Sequence, residues 1–159
     1  MGVEGLIIHP RLQTGGFTAP LDYETTAAVK KAVSMPVIFS GNINNYKRMA
    51  KVYEQTGVDG FMIGRALWGA PWKMHEIMEE AAGRAFNIST ADMIRLARKH
   101  LDLNIALYGP RGVNPFKKQL PQYIRSVEGA ATIRANLVRL QTAEEMGIAL
   151  DNLLDSCYK

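Results

Sequence analysis

The chain has 159 residues, of which 47% are hydrophobic, and a formal net charge of +4. This length suits one ordinary domain, or part of a domain joined to a small second one, and the hydrophobic content excludes a disordered chain. No apolar run reaches the roughly 18 residues that a membrane-spanning helix needs, and no signal peptide pattern is visible near the N-terminus. We therefore expect a cytoplasmic protein that has no membrane partner.

The cysteine and histidine residues argue against a metal site. Cys157 is the only cysteine, which excludes an intrachain disulfide and a cysteine cluster. His75 and His100 show no ligand spacing with His9, so we predict no metal.

Three short apolar runs, each followed by a helical pattern, occupy the first half of the chain. They are Leu6–Ile8, Pro36–Phe39 and Phe61–Ile63. Runs of this kind are typical of strands buried on both faces of a parallel sheet. Their ends at His9, Ser40 and Gly64 lie 31 and 24 residues apart, as βα units require. The pattern predicts an α/β fold with parallel strands and helices outside the sheet.

The helices of this half carry recognisable start and stop residues. Asp22 is expected to cap the first helix, and Asn44 or Asn45 the second. Gly57 is a natural end for the second helix, and Pro71 is expected to begin the third. Two helix faces are predicted from their apolar residues: Tyr46, Met49, Ala50 and Tyr53, and, facing inward, Met74, Ile77, Met78 and Ala81. A loop through Gly15 and Gly16 follows the first strand.

The second half of the chain reads as helices alone, which predicts a small all-α domain. We place the boundary between residues 1–84 and 85–159. Ser89 begins a capping box for a helix that runs to about Leu107, and Thr142 with Glu145 forms a second capping box. Further helices are predicted over about Phe116–Arg125, Glu128–Leu140 and Ala143–Asp155.

Two glycine turns fall at the carboxyl edge of the predicted sheet, which is the functional edge of α/β folds. One turn is Ser40-Gly41-Asn42 and the other is Gly64-Arg65. Backbone N–H groups of Gly41, Asn42 and Gly64 can cradle a phosphate, and Arg65 can neutralise it. The alternative is two ordinary strand-to-helix turns, but their occurrence at the right spacing favours a phosphate site.

His9 ends the first strand at the same edge, and Arg11 lies just beyond it. The histidine can hydrogen-bond a cofactor ring or a phosphate. Taken alone, the position is more typical of a strand-end histidine that is satisfied by backbone groups. We include both residues among the candidate cofactor-binding residues.

Basic residues dominate the stretch from Arg95 to Arg139, which holds nine of them against two acidic residues. Such local asymmetry indicates a polyanionic partner, and nearby Tyr108, Phe116 and Tyr123 suit structured RNA. A solvated helix face is the alternative. The candidate RNA-binding residues are Arg95, Arg98, Lys99, Lys117, Lys118, Arg125 and Arg134.

The strand-end motifs resemble the last three strands of the tRNA-dihydrouridine synthases. The segments that carry the resemblance are residues 6–11, 36–43 and 60–67, continued by Ala70-Pro71-Trp72, and, in the helical half, residues 116–123 and Ile133-Arg134. The resemblance implies the C-terminal part of a TIM (β/α)8 barrel, about three βα units, followed by a helical tRNA-binding domain. It also implies FMN as cofactor, NADPH as reductant, tRNA rather than DNA as partner, and reduction of uridine to 5,6-dihydrouridine. By resemblance, Ser40, Gly41, Asn42, Gly64 and Arg65 correspond to contacts of the FMN phosphate, and His9 to another flavin contact.

The chain departs from the family pattern in three places. Ser40-Gly41-Asn42 stands where the family usually has Asn-Gly-Asp, and His9-Pro10-Arg11 where it usually has His-Gly-Arg. The proton-donating cysteine of the family comes from an earlier strand, and Cys157 does not match it. We therefore expect a C-terminal portion that needs an N-terminal half barrel to complete the fold. A non-catalytic phosphate- or RNA-binding module, or another FMN-dependent TIM-barrel oxidoreductase, is the alternative.

Overall fold

A computed structural model describes residues 2–12, 15 and 19–158, so Gly16 of the predicted loop lies outside the described residues. The chain divides into two compact units. One comprises the residues up to Leu67 together with Trp72–Phe86, and the other comprises Trp68–Pro71 together with the residues from Asn87 onward. Within the described residues, no helix has the length and hydropathy needed to cross a membrane.

A three-stranded parallel sheet forms the centre of the first unit. Its strands are β1 (Leu6–Ile8), β2 (Val37–Ser40) and β3 (Gly60–Met62), in the spatial order β1-β2-β3. Ile8 lies opposite Phe39, and Phe39 lies opposite Phe61. Because all three strands run the same way, their carboxyl ends share one edge of the sheet. The predicted strands and their parallel arrangement are confirmed.

Helices α1 (Tyr23–Ala32), α2 (Tyr46–Thr56) and α3 (Lys73–Ala81) follow the three strands in turn. Asp22 accepts the Thr25 N–H, and Asn45 accepts the Arg48 N–H, so these two residues cap α1 and α2. Gly57 ends α2 with a φ of 65°, which is the left-handed conformation that glycine adopts most easily. The predicted caps are confirmed, with Asn45 rather than Asn44 capping α2.

The core of the first unit lies on the face of the sheet that packs against α1 and α2. Val37 and Phe39 are fully buried there, together with Leu21, Ile43 and Val52. These β2 side chains alternate with the partly exposed Ile38 and Ser40, as the two-residue period of a strand requires.

Asp59 ties the amino end of the sheet to α1. Its Oδ2 accepts the Val37 N–H at 2.7 Å and lies 2.6 Å from Lys30 Nζ. The bond from Lys30 and then that from Val37 lower the pKa of the Asp59 carboxyl. The carboxylate therefore joins two elements and lies at the edge opposite the predicted site.

The predicted inward face of α3 is partly wrong. In α2 the buried positions are Val52 and Thr56, while Tyr46, Met49 and Ala50 are partly buried and Tyr53 is 59% exposed. Helix α3 begins at Lys73 rather than at Pro71, and only Ile77 of its predicted inward face is buried. The other three residues, Met74, Met78 and Ala81, are exposed. An apolar residue on a helix becomes buried only where another element covers it, and nothing among the described residues covers these three.

Four helices make up most of the second unit. They are α4 (Thr90–Tyr108), α5 (Val113–Tyr123), α6 (Ala130–Leu137) and α7 (Ala143–Ser156), with a 3-10 turn at Gly109–Gly112 between α4 and α5. Ser89 caps α4 by accepting the Asp92 N–H, and Thr142 with Glu145 forms a complete capping box on α7. Both predicted N-caps are confirmed, but the predicted box at α4 is not: Asp92 Oδ2 there accepts the Ser89 hydroxyl.

The core of this unit joins α4, α5 and α7 through fully buried side chains, among them Ile94, Leu101, Phe116, Leu120 and Met146. Helices α5 and α6 are displaced or shortened relative to the prediction. Helix α5 begins at Val113, three residues early, because it continues directly from the 3-10 turn, and it ends at Tyr123. Helix α6 begins only after Gly129, which adopts a φ of 68°.

A candidate anion-binding site at the carboxyl edge of the sheet

A cavity of about 690 Å³ lies at the carboxyl ends of the three strands. It is lined by six of the seven residues that the sequence predicted to bind a cofactor: His9, Ser40, Gly41, Asn42, Gly64 and Arg65. The loops after β2 and β3 supply most of this wall, as expected where parallel strands end side by side.

Asn42 connects the two loops across the cavity. Its Oδ1 accepts a long hydrogen bond of 3.4 Å from Arg65 Nη2. Asn42 has a φ of 50°. Within the described part of the chain, no other non-glycine residue has a positive φ. Asparagine tolerates this conformation better than most residues, and functional turns often contain it. The strained turn thus aligns the loop after β2 with the guanidinium of Arg65.

Gly41 and Gly64 serve different purposes in the two loops. A Cβ on Gly41 would lie 3.0 Å from Leu21 Cδ2 and 3.2 Å from its Cδ1, so a side chain here would force the buried Leu21 to shift. A Cβ on Gly64 would meet no atom within 4 Å, and its backbone is not in the left-handed region. The bare backbone of Gly64 therefore faces open space in the cavity, as a close approach by a ligand requires.

The cavity is lined by cationic and neutral groups. Besides Arg65 and His9, its wall includes Arg48, the third residue of α2. No aspartate or glutamate is among the described residues that line it. A cavity wall with two guanidinium groups and no carboxylate among its described residues favours an anionic ligand, and arginine suits phosphate in particular.

Arg48 was not predicted from the sequence, because an arginine on a helix is most often a solvated surface residue. Ile43, Asn44, Met62 and Ala66 complete the lining and were not predicted either. The spacing of Arg48 after the Asn45 cap places it within the first turn of α2. That position lies beside the functional edge, but the approach of its side chain to the cavity is visible only in the folded structure.

Arg11, the seventh predicted residue, does not line the cavity. It is partly buried, and its Nε and Nη1 have no hydrogen-bond partner among the described residues. The Pro10 carbonyl beside it accepts the Asp22 N–H at 2.8 Å, which joins this loop to the start of α1. A role for Arg11 in cofactor binding stays a prediction.

In the second unit, two of the seven candidate RNA-binding residues form ion pairs within the protein. Arg95 pairs with Asp92 and also bonds the Tyr158 hydroxyl. Arg98 pairs with Asp102 on α4, and its Nε lies 3.3 Å from Asp151 on α7. These carboxylates bind some of the arginine N–H groups that were predicted to contact RNA.

The remaining five candidates are Lys99, Lys117, Lys118, Arg125 and Arg134, and no ion pair involves them within the described residues. All are exposed except Lys117, which is partly buried. The pKa of the Glu145 carboxyl is lowered chiefly by its bonds to the Thr142 and Gln141 N–H groups, and the charge of Lys117 adds to this effect. The proposed aromatic partners are partly wrong. Phe116 and Tyr123 are buried in the core and cannot stack on bases, whereas Tyr108 is 55% exposed.

The helical unit also contains a partly buried histidine. His100 Nδ1 lies 3.0 Å from the Tyr123 hydroxyl. Burial lowers the pKa of His100 and raises the pKa of Tyr123 to about 12. The pair is therefore neutral near pH 7 and belongs to the core of the unit. Among the described residues, no cluster of histidine, cysteine, aspartate and glutamate could hold a metal ion.

The described residues form an α/β unit with a cationic cavity at the carboxyl edge of its parallel sheet, together with a helical unit. A family model described as dihydrouridine synthase (Dus) matches residues 1–158. The chain therefore belongs to the dihydrouridine synthase family, and the resemblance noted in its strand-end motifs is confirmed.

Individual relatives agree with this assignment. The chain is 35% identical over 151 residues to tRNA-dihydrouridine synthase B of Pseudomonas aeruginosa, a match that covers 90% of this chain and 44% of the relative. It is 35% identical to the protein of the same name from Xanthomonas campestris, again over 90% of the chain and 44% of the relative. For tRNA-dihydrouridine synthase B of Vibrio cholerae, the identity is 28%, and the match covers 98% of this chain and 49% of the relative. The chain thus spans a little under half the length of these relatives.

Proposed function

We propose that this chain supplies the phosphate-binding part of the FMN site and the tRNA-binding helices of a tRNA-dihydrouridine synthase. In this proposal the three strands belong to a (β/α)8 barrel, and the complete enzyme reduces uridine in tRNA to 5,6-dihydrouridine in the cytoplasm, with NADPH as reductant. The cavity at the carboxyl edge of the sheet carries the proposal, because its wall combines Arg65, Arg48 and His9 with no carboxylate among the described lining residues.

The residues of this cavity fit the phosphate end of FMN. Gly64 leaves its backbone uncovered on the cavity side, which gives a phosphate oxygen room to approach its N–H. Arg65 would neutralise the phosphate, and Asn42 would hold the arginine through their shared hydrogen bond. Ser40, Gly41 and His9 line the same wall, while Arg11 lies outside the lining. When bound, FMN supplies the hydride that reduces the uracil ring.

The tRNA role falls to the exposed basic residues of the helical unit. Lys99, Lys118, Arg125 and Arg134 are exposed and form no ion pair with another described residue. Such residues bind a phosphate backbone chiefly through charge, so binding weakens steeply as salt rises. Arg95 and Arg98 contribute less, because Asp92, Asp102 and Asp151 already compensate their charge.

Two binding measurements on the chain test the proposal against its alternatives. The first is an FMN titration followed by flavin fluorescence, and the second is binding to unmodified tRNA over a salt series. Binding of both ligands supports the proposal. Binding of FMN alone favours another FMN-dependent barrel oxidoreductase, and binding of tRNA alone favours a non-catalytic RNA-binding module. Binding of neither ligand contradicts the proposal and leaves only a module that binds another phosphate.

A matched pair of variants tests the assignment of the RNA surface. Lys118→Gln combined with Arg125→Gln is expected to weaken tRNA binding and to lower the salt slope by about one unit per lost phosphate contact. Arg95→Gln, which removes a charge already paired with Asp92, is the control and is expected to change binding much less. Equal effects of the two changes would contradict this division of the basic residues.

A further inference from the structure

Arg48 extends from the first turn of α2 to the wall of the cavity that Arg65 also lines. Its side chain is partly buried, and its Nε is a buried atom with no hydrogen-bond partner among the described residues. No carboxylate of a described residue lies within ion-pairing distance of it. A partly buried cation that lacks an anionic partner is costly, and an anion in the cavity removes that cost.

Tyr23 holds this guanidinium in place. Arg48 Nη2 donates to the Tyr23 hydroxyl at 2.7 Å, and the guanidinium carbon lies 5.8 Å from the centre of the tyrosine ring. Tyr23 itself stacks on the fully buried Phe39, with ring centres 5.9 Å apart and an interplanar angle of 30°. A path of packed side chains thus connects the arginine to the core and limits its motion.

The N-terminus of α2 does not provide the anion site by itself. The Arg48 N–H is bonded to the Asn45 side chain, and the Tyr46 N–H is bonded to Glu80 Oε2 at 2.8 Å. Two of the backbone donors that a phosphate would use are therefore occupied. A guanidinium has five N–H donors, and the bond to Tyr23 accounts for only one of them. The side chain of Arg48, rather than the backbone at the helix end, therefore offers the N–H donors that can bind an anion.

We propose that Arg48 is a second phosphate-binding arginine of this cavity and that Tyr23 is the residue that positions it. The inference rests on the proposed function, since the ligand is taken to be a phosphate monoester such as FMN. A phosphate monoester carries close to two negative charges at pH 7, and two arginines from successive βα units match that charge. Arg48 then determines the preference for FMN over riboflavin, which has the same ring system but no phosphate.

Parallel titrations of the chain with FMN and with riboflavin test this role. Arg48→Gln is expected to weaken FMN binding about ten- to hundredfold, the usual effect of losing a hydrogen bond to a charged group. Riboflavin binding is expected to stay unchanged. Arg48→Lys keeps the charge but loses the planar fork, so its FMN affinity is expected to lie between those of the wild type and Arg48→Gln.

Two further variants separate binding from structure. Tyr23→Phe preserves the stack on Phe39 but removes the hydroxyl that holds Arg48, so it is expected to weaken FMN binding a few-fold and to leave riboflavin binding unchanged. Lys47→Gln removes an exposed charge from the neighbouring position of α2 and serves as the matched control with near-wild-type FMN affinity. Thermal unfolding of each variant shows whether the fold is intact.

The outcomes distinguish this inference from the function on which it rests. Wild-type FMN affinity in Arg48→Gln, or an equal loss of FMN and riboflavin binding, overturns the role of Arg48 and leaves the FMN site standing. A wild-type chain that binds neither flavin overturns the proposed function and this inference with it. If Arg48→Gln does not fold, Arg48→Lys and Tyr23→Phe decide, and unchanged FMN affinity in both overturns the proposal.

Discussion

Gly41 and Gly64 follow neighbouring strands of one sheet, but a side chain at the two positions would have opposite consequences. A Cβ at Gly41 would press against both terminal methyl groups of Leu21, in the buried core. A Cβ at Gly64 would project into open space beside the cavity. The first glycine is therefore explained by packing, while no packing among the described residues requires the second.

A matched pair of alanine substitutions tests this difference. Gly41→Ala is expected to lower the free energy of unfolding by about 1–3 kcal/mol, the usual cost of overpacking a core. Gly64→Ala is expected to keep or slightly raise stability, because alanine restricts the unfolded chain, but to weaken FMN binding. Denaturant unfolding and FMN titration measure the two effects. Wild-type FMN affinity in Gly64→Ala would show that the phosphate does not approach this backbone.

The difference between predicted and unpredicted site residues follows from how each is positioned. Ser40, Gly41, Asn42, Gly64 and Arg65 could be assigned to one site because parallel strands end at a common edge, and strand ends are visible in the sequence. The role of Arg48 depends on its bond to a hydroxyl 25 residues earlier in the chain. No local pattern indicates such a contact, so it could be recognised only in the folded structure.

At the scale of whole helices, caps could be predicted better than faces. Asp22, Asn45, Ser89 and Thr142 each bond a backbone N–H three residues later, and this requires only local geometry. The inward face of α3 was wrong because burial depends on which other elements cover a helix. Ile77 is covered, and Met78, one residue later, is 61% exposed.

His100 of α4 contacts Tyr123 of α5, and the burial of His100 makes the stability of this unit sensitive to pH. Burial lowers the pKa of His100 in the folded state, so the unfolded chain binds more protons between the two pKa values. Stability is therefore complete above the unfolded pKa of 6.5 and falls as the pH decreases from there through the folded pKa. The pKa values of Asp59 and Asp92 are also lowered, but from 3.8, so these carboxylates change stability only in more acidic solution.

We predict that the free energy of unfolding falls as the pH is lowered below about 6.5, and that His100→Gln flattens this slope. Tyr123→Phe is the matched comparison. It is expected to lower stability by about 0.5–1.5 kcal/mol through the lost hydrogen bond, but to keep the slope, because burial is the cause of the shift. Urea unfolding at a series of pH values measures both. An unchanged slope in His100→Gln would assign the pH dependence to another group.

The molecule as a whole shows why charge in the sequence is an incomplete guide to an interaction surface. Nine basic residues against two acidic ones between Arg95 and Arg139 indicated a continuous cationic surface. The fold brings Asp92 and Asp151, from outside that interval, next to Arg95 and Arg98. The uncompensated cationic surface is therefore smaller than the sequence indicated. Asp92 lies one helical turn before Arg95, just outside the interval, and Asp151 is distant in the chain but close to Arg98 in space.

The sheet of the first unit has one covered face and one that is largely exposed. Ile7 and Ile38 lie in register on the second face. Ile7 is 65% exposed and Met62, next to Ser40 of β2, is 50% exposed. Parallel sheets are normally covered on both faces, and β1 and β3 form the two edges of the sheet in the described part of the chain. An exposed apolar face of this kind, between two unpaired edges, favours association.

We predict that the chain by itself associates through this face and that Ile7→Thr shifts it toward the monomer. Threonine keeps the β-branched shape that suits a strand, so the substitution removes apolar surface without disturbing β1. Ile8→Thr is the control: Ile8 packs against the core on the opposite face, so its replacement is expected to lower stability and leave association unchanged. Sedimentation velocity over a range of concentrations measures association, and thermal unfolding measures stability. A wild-type chain that stays monomeric throughout, or an Ile7→Thr variant that associates as strongly as the wild type, would show that this face does not drive self-association.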